Sequence, residues 1–204
     1  MLGGKELRMK YSEYKYLICS DLYRITGQIR FPLFLRYVLF HDTYPYVFWM
    51  RTCRYTGAVP LLRYTVYPIA KLVLYHLRFK LGIRIQPETS IGSGLNIGHF
   101  GGINVHARCV IGRNCDISQQ VTLGQANRGK NKGYPTLGDN VYVGPGARII
   151  GSVRIGNNVA VGANCVVTKD VPDNSVVVGI PGHVISQKGS AGYIKRTDYD
   201  GKIG

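Results

Sequence analysis

The chain has 204 residues, enough for one large or two small domains, and carries a net charge of +15 at neutral pH. Its five cysteines include no CxxC pair, which argues against a disulfide-stapled secreted scaffold and against a cysteine metal site. The positive charge comes with no recognised nucleic-acid-binding module, and other partners of basic proteins are anionic as well. We therefore predict no nucleic-acid partner.

Residues 1–84 differ in composition from the rest of the chain. They hold 14 Lys and Arg against 4 Asp and Glu, and 11 of the 15 Tyr. The stretches 11–29, 45–55 and 61–81 place apolar residues at mixed spacings of three and four, which predicts helices separated by Gly and Pro. This segment is predicted to be a small α-helical domain.

The most apolar helical stretch, residues 61–81, contains four Lys and Arg residues and Pro68, so a membrane-spanning helix is not expected. No apolar signal-peptide core follows the first ten residues, which favours a cytoplasmic protein. Two alternatives stay open for the basic, aromatic front half. It lies against the anionic inner face of a membrane, or it is a solvated face or subunit interface. The second is the interpretation we favour from sequence.

A six-residue aliphatic period dominates the second half of the chain. A short fixed period predicts a parallel β-helix built from hexapeptides, so the fold is expected to be mainly β over residues 85–185. Residues 186–204 have no period and form a tail whose composition is compatible with mobility. The residues that follow the period are Ile85, Ile91, Ile97, Val105, Ile111, Ile117, Leu123, Leu137, Val143, Ile149, Ile155, Val161 and Val167.

Two breaks in the period predict loops that leave the solenoid. The second break expels residues 124–136, a long basic loop rich in Gly, and long loops on rigid scaffolds usually carry function. The first break surrounds His99, which precedes Gly101 and Gly102. An imidazole at such a corner is either a general base facing a cleft or a structural residue, and the residue type alone does not separate these.

Three cysteines and His106 have predicted structural roles, and no metal site is predicted. Cys109, Cys115 and Cys165 occupy narrow inward positions and are predicted to be buried apolar residues. His106 stands where the repeat usually has Gly and is predicted to be a structural corner residue. A catalytic zinc site typically needs three protein ligands, and the solenoid offers only His99 and His106, so we predict no metal.

Residues 91–185 resemble the hexapeptide-repeat acyltransferases, and among them the serine acetyltransferase branch. The resemblance implies a left-handed β-helix that assembles as a homotrimer, or as a dimer of trimers, with acetyl-CoA bound between subunits. It further implies that His99 is the general base and that Pro145, Ala163, Thr168, Lys169 and His183 line the CoA side. The motifs that carry it are Gly98-His99-Phe100-Gly101-Gly102, Ser118-Gln119-Gln120-Val121-Thr122-Leu123-Gly124, the loop ending at Pro135, and Gly179-Ile180-Pro181-Gly182.

Two departures from that branch bear on the acceptor. Serine acetyltransferases have Asp directly before the base, where this chain has Gly98, so Asp42 is the candidate to orient the imidazole. They have Arg-His before the loop proline, where this chain has Gly133-Tyr134. The carboxylate of a serine acceptor would lose a cation that could bind it through two hydrogen bonds. Tyr134 would instead suit a sugar, on which its ring could stack or to which its hydroxyl could hydrogen-bond.

The sequence therefore predicts O-acetylation of a saccharide hydroxyl, as in acetyltransferases of surface-polysaccharide assembly that use lipid-linked or nucleotide-linked acceptors. Serine O-acetylation is the first alternative. A non-catalytic trimeric scaffold and a zinc hydratase are the others.

Overall fold

The computed structural model describes residues 9–203, in which four helices precede fifteen short strands. Each of the last three helices has Pro in its first turn, where the missing N–H costs nothing. The first and last end on Gly27 and Gly82, whose positive φ values of 72° and 60° form left-handed caps. The helices are α1 (Tyr11–Thr26), α2 (Phe31–Phe40), α3 (Tyr44–Ala58) and α4 (Pro60–Leu81).

The strands form three parallel sheets that wind around one axis. Sheet A has the order β1-β4-β7-β10-β13, sheet B has β11-β8-β5-β2, and sheet C has β15-β14-β12-β9-β6-β3. Only β15 runs antiparallel to its neighbour. The strands are β1 (Ile83–Ile85), β2 (Ser90–Ile91), β3 (Asn96–Ile97), β4 (Ile103–Val105), β5 (Val110–Ile111), β6 (Asp116–Ile117), β7 (Thr122–Gly124), β8 (Thr136–Leu137), β9 (Tyr142–Val143), β10 (Arg148–Ile150), β11 (Arg154–Ile155), β12 (Ala160–Val161), β13 (Val166–Val167), β14 (Val176–Val178) and β15 (His183–Ser186).

The predicted six-residue period is the inner lining of this prism of about five coils. In sheet A, Ile85 pairs in register with Val105, and Leu123 with Ile149. All thirteen aliphatic residues of the period are at most 6% exposed. Cys109, Cys115 and Cys165 are buried among them, and burial raises the pKa of the Cys115 thiol to about 12.

The corners between sheets B and C are built on an asparagine ladder. Each Asn adopts a positive φ between 55° and 58°, which Asn tolerates better than most residues. The side-chain amide of each of the first three donates to the next Asn along the axis at 2.9–3.1 Å. The ladder satisfies polar groups at the turns and locks successive coils in register. Its members are Asn114, Asn140, Asn158 and Asn174.

A buried ion pair joins the helices to the first coil. Arg51 of α3 binds Asp21 of α1, with Nε 3.0 Å from Oδ2, and both side chains are at most 2% exposed. Arg51 also donates to the carbonyl of Ile91 at 2.8 Å, and Asp21 accepts from the N–H of Leu95 at 2.7 Å. The helical region is thereby held against the end of the prism where His99 lies.

The domain limits differ slightly from those expected from sequence. The solenoid begins at Ile83, two residues before the predicted boundary, because the helix cap at Gly82 leads directly into β1. The segment 187–203 is not a detached tail. It returns along the B–C corners to α1, where the fully buried Tyr199 donates from its hydroxyl to Asn114 at 2.6 Å.

Candidate active site

His99 lies at the corner between sheet C and sheet A of the first coil. The neighbouring coil turns this corner with Ser118, Gln119 and Gln120, whereas the first coil uses five residues, and the surplus bulges outward. Gly101 fits the bulge with a φ of 105°, and its N–H donates to the carbonyl of Leu81 at 2.9 Å. The His99 side chain is exposed and makes no hydrogen bond within residues 9–203, so its imidazole is available to a ligand.

Asp42 lies near this corner, on the connection between α2 and α3. Thr43 fixes that connection by donating from its hydroxyl to the carbonyl of Ile97 at 2.7 Å, two residues before His99. Nδ1 of His41 accepts the N–H groups of Thr43 and Tyr44, each at 3.2 Å, and burial lowers the pKa of His41. No hydrogen bond joins Asp42 to His99 in the described chain, so the orienting role of Asp42 stays a prediction.

A cavity of about 430 Å³ adjoins the bulge. Its walls are mostly apolar side chains of α2, α3 and α4, together with Phe100, while Asp42 and Lys80 add opposite charges. Sequence reasoning missed this cavity because its walls come from four segments far apart along the chain. The only signal was that Phe100 directly follows the candidate base.

Four of the predicted site residues share one edge of the prism. Pro145 and Ala163 lie at the C–A corners of later coils, and Asn164 donates its N–H to the carbonyl of Pro145 at 2.8 Å. His183 begins β15 just after the chain turns at the last corner of this edge. His99, Pro145, Ala163 and His183 therefore line a path parallel to the axis.

Three other predicted residues, Thr168, Lys169 and Tyr134, lie on a different edge, between sheets A and B. Thr168 and Lys169 follow β13 there, and the carbonyl of Thr168 accepts from Asn131 in the long loop at 2.7 Å. Tyr134 packs on His106, with ring centroids 4.4 Å apart. Within one chain, sheet A separates this set from His99, so a site that used both would draw on two copies of the chain.

His106 has structural contacts of its own. Its Nδ1 accepts the N–H of Arg108 at 3.1 Å, while its ring supports Tyr134. Both contacts agree with the predicted role of a corner residue. Among residues 9–203, no group of three or more His, Cys, Asp and Glu side chains is arranged to hold a metal ion.

The chain is similar to known proteins in both sequence and fold. Residues 134–169 match the family described as bacterial transferase hexapeptide (six repeats). The serine acetyltransferase of Staphylococcus epidermidis is 43% identical over 123 residues, which cover 60% of this chain and 58% of that protein. The structure of soybean serine acetyltransferase complexed with serine has a TM-score of 0.65 at 28% identity, over 83% of this chain and 68% of that one. A serine acetyltransferase in complex with CoA has a TM-score of 0.66 at 26% identity, with the same two coverages.

The fold and the matches together identify the second half of the chain as a left-handed β-helix that is similar to the bacterial transferases with hexapeptide repeats. Within that class the chain is similar to the serine acetyltransferases. The predicted fold class and family resemblance are confirmed. The aligned part of the chain spans 58% of the length of the curated relatives it matches.

Proposed function

We propose that this protein is an acetyl-CoA-dependent O-acetyltransferase with His99 as its general base. The observation that carries the proposal is the exposed imidazole at the coil break, which has no hydrogen-bond partner within residues 9–203 and lies on the same edge as Pro145 and Ala163. The similarity to serine acetyltransferases, one of them in complex with CoA, supports the same chemistry.

The proposed reaction needs one proton acceptor and two positioned substrates. His99 removes the proton of the acceptor hydroxyl, and the oxygen of that hydroxyl attacks the thioester carbonyl of acetyl-CoA. The tetrahedral intermediate then collapses, the C–S bond breaks, and the CoA thiolate takes the proton back from the imidazolium. No covalent enzyme intermediate forms, so the chain contributes positioning and proton transfer.

Residues of the chain fit a CoA molecule along this edge. Ala163 is exposed and small, which leaves room for the pantetheine arm to pass close to the backbone. Lys169 is exposed and takes part in none of the ion pairs found within residues 9–203, so its cation would be free to meet a CoA phosphate. Because Lys169 and Ala163 lie on different edges, we propose that a homotrimer completes each site with residues from two subunits.

Serine ranks first as the acceptor because the relatives and solved structures that match are serine acetyltransferases. A saccharide hydroxyl is the second candidate. It is favoured by Gly98 and Gly133, which stand where serine acetyltransferases have Asp and Arg, and by the ring of Tyr134. No match supports a role in polysaccharide assembly.

An acceptor screen separates these candidates. We expect serine-dependent release of the CoA thiol, measured against nucleotide sugars and lipid-linked oligosaccharides at equal concentration. Release with a saccharide and none with serine would reverse the ranking. Release with neither, while CoA still binds, would exclude both acceptors.

Peripheral contact with an anionic membrane surface is part of the proposal. In the described residues, no helix is long and apolar enough to cross a bilayer. The outer face of α4 nevertheless exposes a continuous apolar stripe, which Lys71 and Lys80 flank with positive charge. The stripe consists of Leu61 (75% exposed), Tyr64 (82%), Leu72 (70%), Tyr75 (59%) and Phe79 (66%).

Vesicle flotation tests this contact. The protein is expected to float with vesicles that contain phosphatidylglycerol and not with pure phosphatidylcholine, because the flanking cations need anionic headgroups. Replacing Leu72 and Phe79 together with Ser should abolish flotation, whereas Val110→Ser on the solenoid, 41% exposed, should not. Self-association through the same stripe, or no flotation with either vesicle, would contradict the contact.

A further inference from the structure

A second cleft lies between α3, α4 and the corner that joins β1 to β2. It consists of two adjoining cavities of about 270 Å³ each, which share walls formed by Cys53, Tyr67, Pro87 and Glu88. We call it the basic cleft. It is separate from the cavity beside Phe100, with which it shares no lining residue.

The charge of this cleft is one-sided. Glu88 is the only acidic residue among its walls, and none of the cations belongs to the ion pairs found within residues 9–203. Five cations and one carboxylate line the cleft, so the repulsion among the cations is only partly offset and an anion would lower the energy of the site. The cations are Arg54 and Arg63 in one half, and Lys71, Arg78 and Arg84 in the other.

Arg54 is a partly buried member of this set of cations. Its guanidinium donates to the carbonyl of Thr89 at 3.0 Å. Burial, followed by the charge of Arg51, lowers the pKa of Arg54. Beside it, the hydroxyl oxygen of the buried Thr89 has no hydrogen-bond partner in the described part of the chain. The corner thus combines a partly buried cation, which feels the charges of Glu13 and Glu88, with a hydroxyl group that has no partner among the described residues.

We propose that the basic cleft binds the phosphate groups of a phosphorylated ligand. Several cations converging on one cavity match the charge of a phosphate or diphosphate better than that of a single carboxylate. Tyr67 and Tyr75 line the same cavity and offer ring faces to a sugar or base attached to the phosphate. The inference goes beyond the proposed function, because the cleft needs no acetyl transfer to bind an anion.

The cleft lies at the corner between sheets A and B of the first coil, and sheet A separates it from the bulge at the corner between sheets C and A. Arg84 of β1 pairs in register with Asn104 of β4, and β4 begins four residues after His99. The phosphates have two chemical sources, CoA itself or a phosphorylated acceptor.

Calorimetric titration with pyrophosphate at low ionic strength tests the inference without any acetyl transfer. We expect Arg84→Gln and Arg63→Gln, one from each half of the cleft, to weaken binding about tenfold each, as expected for loss of one charged hydrogen bond. Both side chains are exposed, so folding should be unaffected, and the unfolding midpoint of each variant verifies this. Arg36→Gln, an exposed residue of α2 outside the cleft, is the matched control and should bind as the unmodified chain does.

Repeating the titration with excess CoA separates the two sources. Pyrophosphate displaced by CoA identifies CoA as the ligand, whereas retained binding identifies a separate phosphorylated ligand. The inference is overturned if millimolar pyrophosphate does not bind, or if Arg36→Gln weakens binding as much as the cleft variants do. Acetyl transfer measured on the same proteins stays an independent test of the proposed function.

Discussion

Replacing His99 with Ala is expected to lower kcat for acetyl transfer by about two to four orders of magnitude, the usual contribution of a general base. The loss should appear in kcat and far less in the KM for acetyl-CoA, because the proton is transferred only in the chemical step. Release of the CoA thiol measures both constants.

The His99→Ala variant is expected to fold and assemble normally. Since the His99 side chain is exposed and hydrogen-bonds to no described residue, its removal should leave the unfolding midpoint and the assembly unchanged. His76→Ala, an exposed histidine of α4, is the matched control and should keep full activity. Undiminished kcat in His99→Ala would exclude this residue as the base.

Replacing Arg51 with Met is expected to destabilise the protein by about 3–5 kcal/mol, the usual cost of leaving one member of a buried ion pair without its partner. The substitution leaves Asp21 buried and also removes the donors to the carbonyls of Ile91 and Gly92. Urea unfolding followed by circular dichroism measures the loss.

Two further variants separate the ion pair from simple packing. Arg51→Met combined with Asp21→Leu should recover part of the loss, because no unpaired charge then stays buried. Lys202→Met removes an exposed pair with Asp198 and a contact with Tyr23, and should lower the midpoint far less than Arg51→Met does. If Arg51→Met lowers the free energy of unfolding no more than Lys202→Met does, the buried pair does not stabilise the fold as expected.

The sequence predicted the solenoid well because each inward position accepts little besides an aliphatic side chain. That constraint repeats with every coil, so a single chain displays it many times. The asparagine ladder was missed, although Asn114, Asn140 and Asn158 each stand three residues after an aliphatic residue of the period. Asn at this spacing is therefore the sequence signal of the ladder.

The helical region was predicted less completely. Helix α2 lies outside the predicted helical stretches because Pro32 resembles a break in the pattern, whereas proline fits the first turn of a helix. The Asp21–Arg51 pair joins residues 30 positions apart, and no local pattern announces such a contact.

The candidate site was only partly accessible from sequence. His99 could be singled out because a break in the period marks an exposed corner. The two edges that carry the other predicted residues, and the basic cleft, depend on how distant segments pack, which hydrophobic periodicity does not encode. The roles of Asp42, Tyr134 and the CoA-side residues accordingly remain predictions.

The return of residues 187–203 to α1 has a consequence for biosynthesis. Tyr199 contacts Tyr16 and Tyr23, so α1 acquires this neighbour only after residue 199 has left the ribosome. Until then part of the α1 surface faces the solvent, and a nascent chain arrested before that point would expose it to chaperones and proteases.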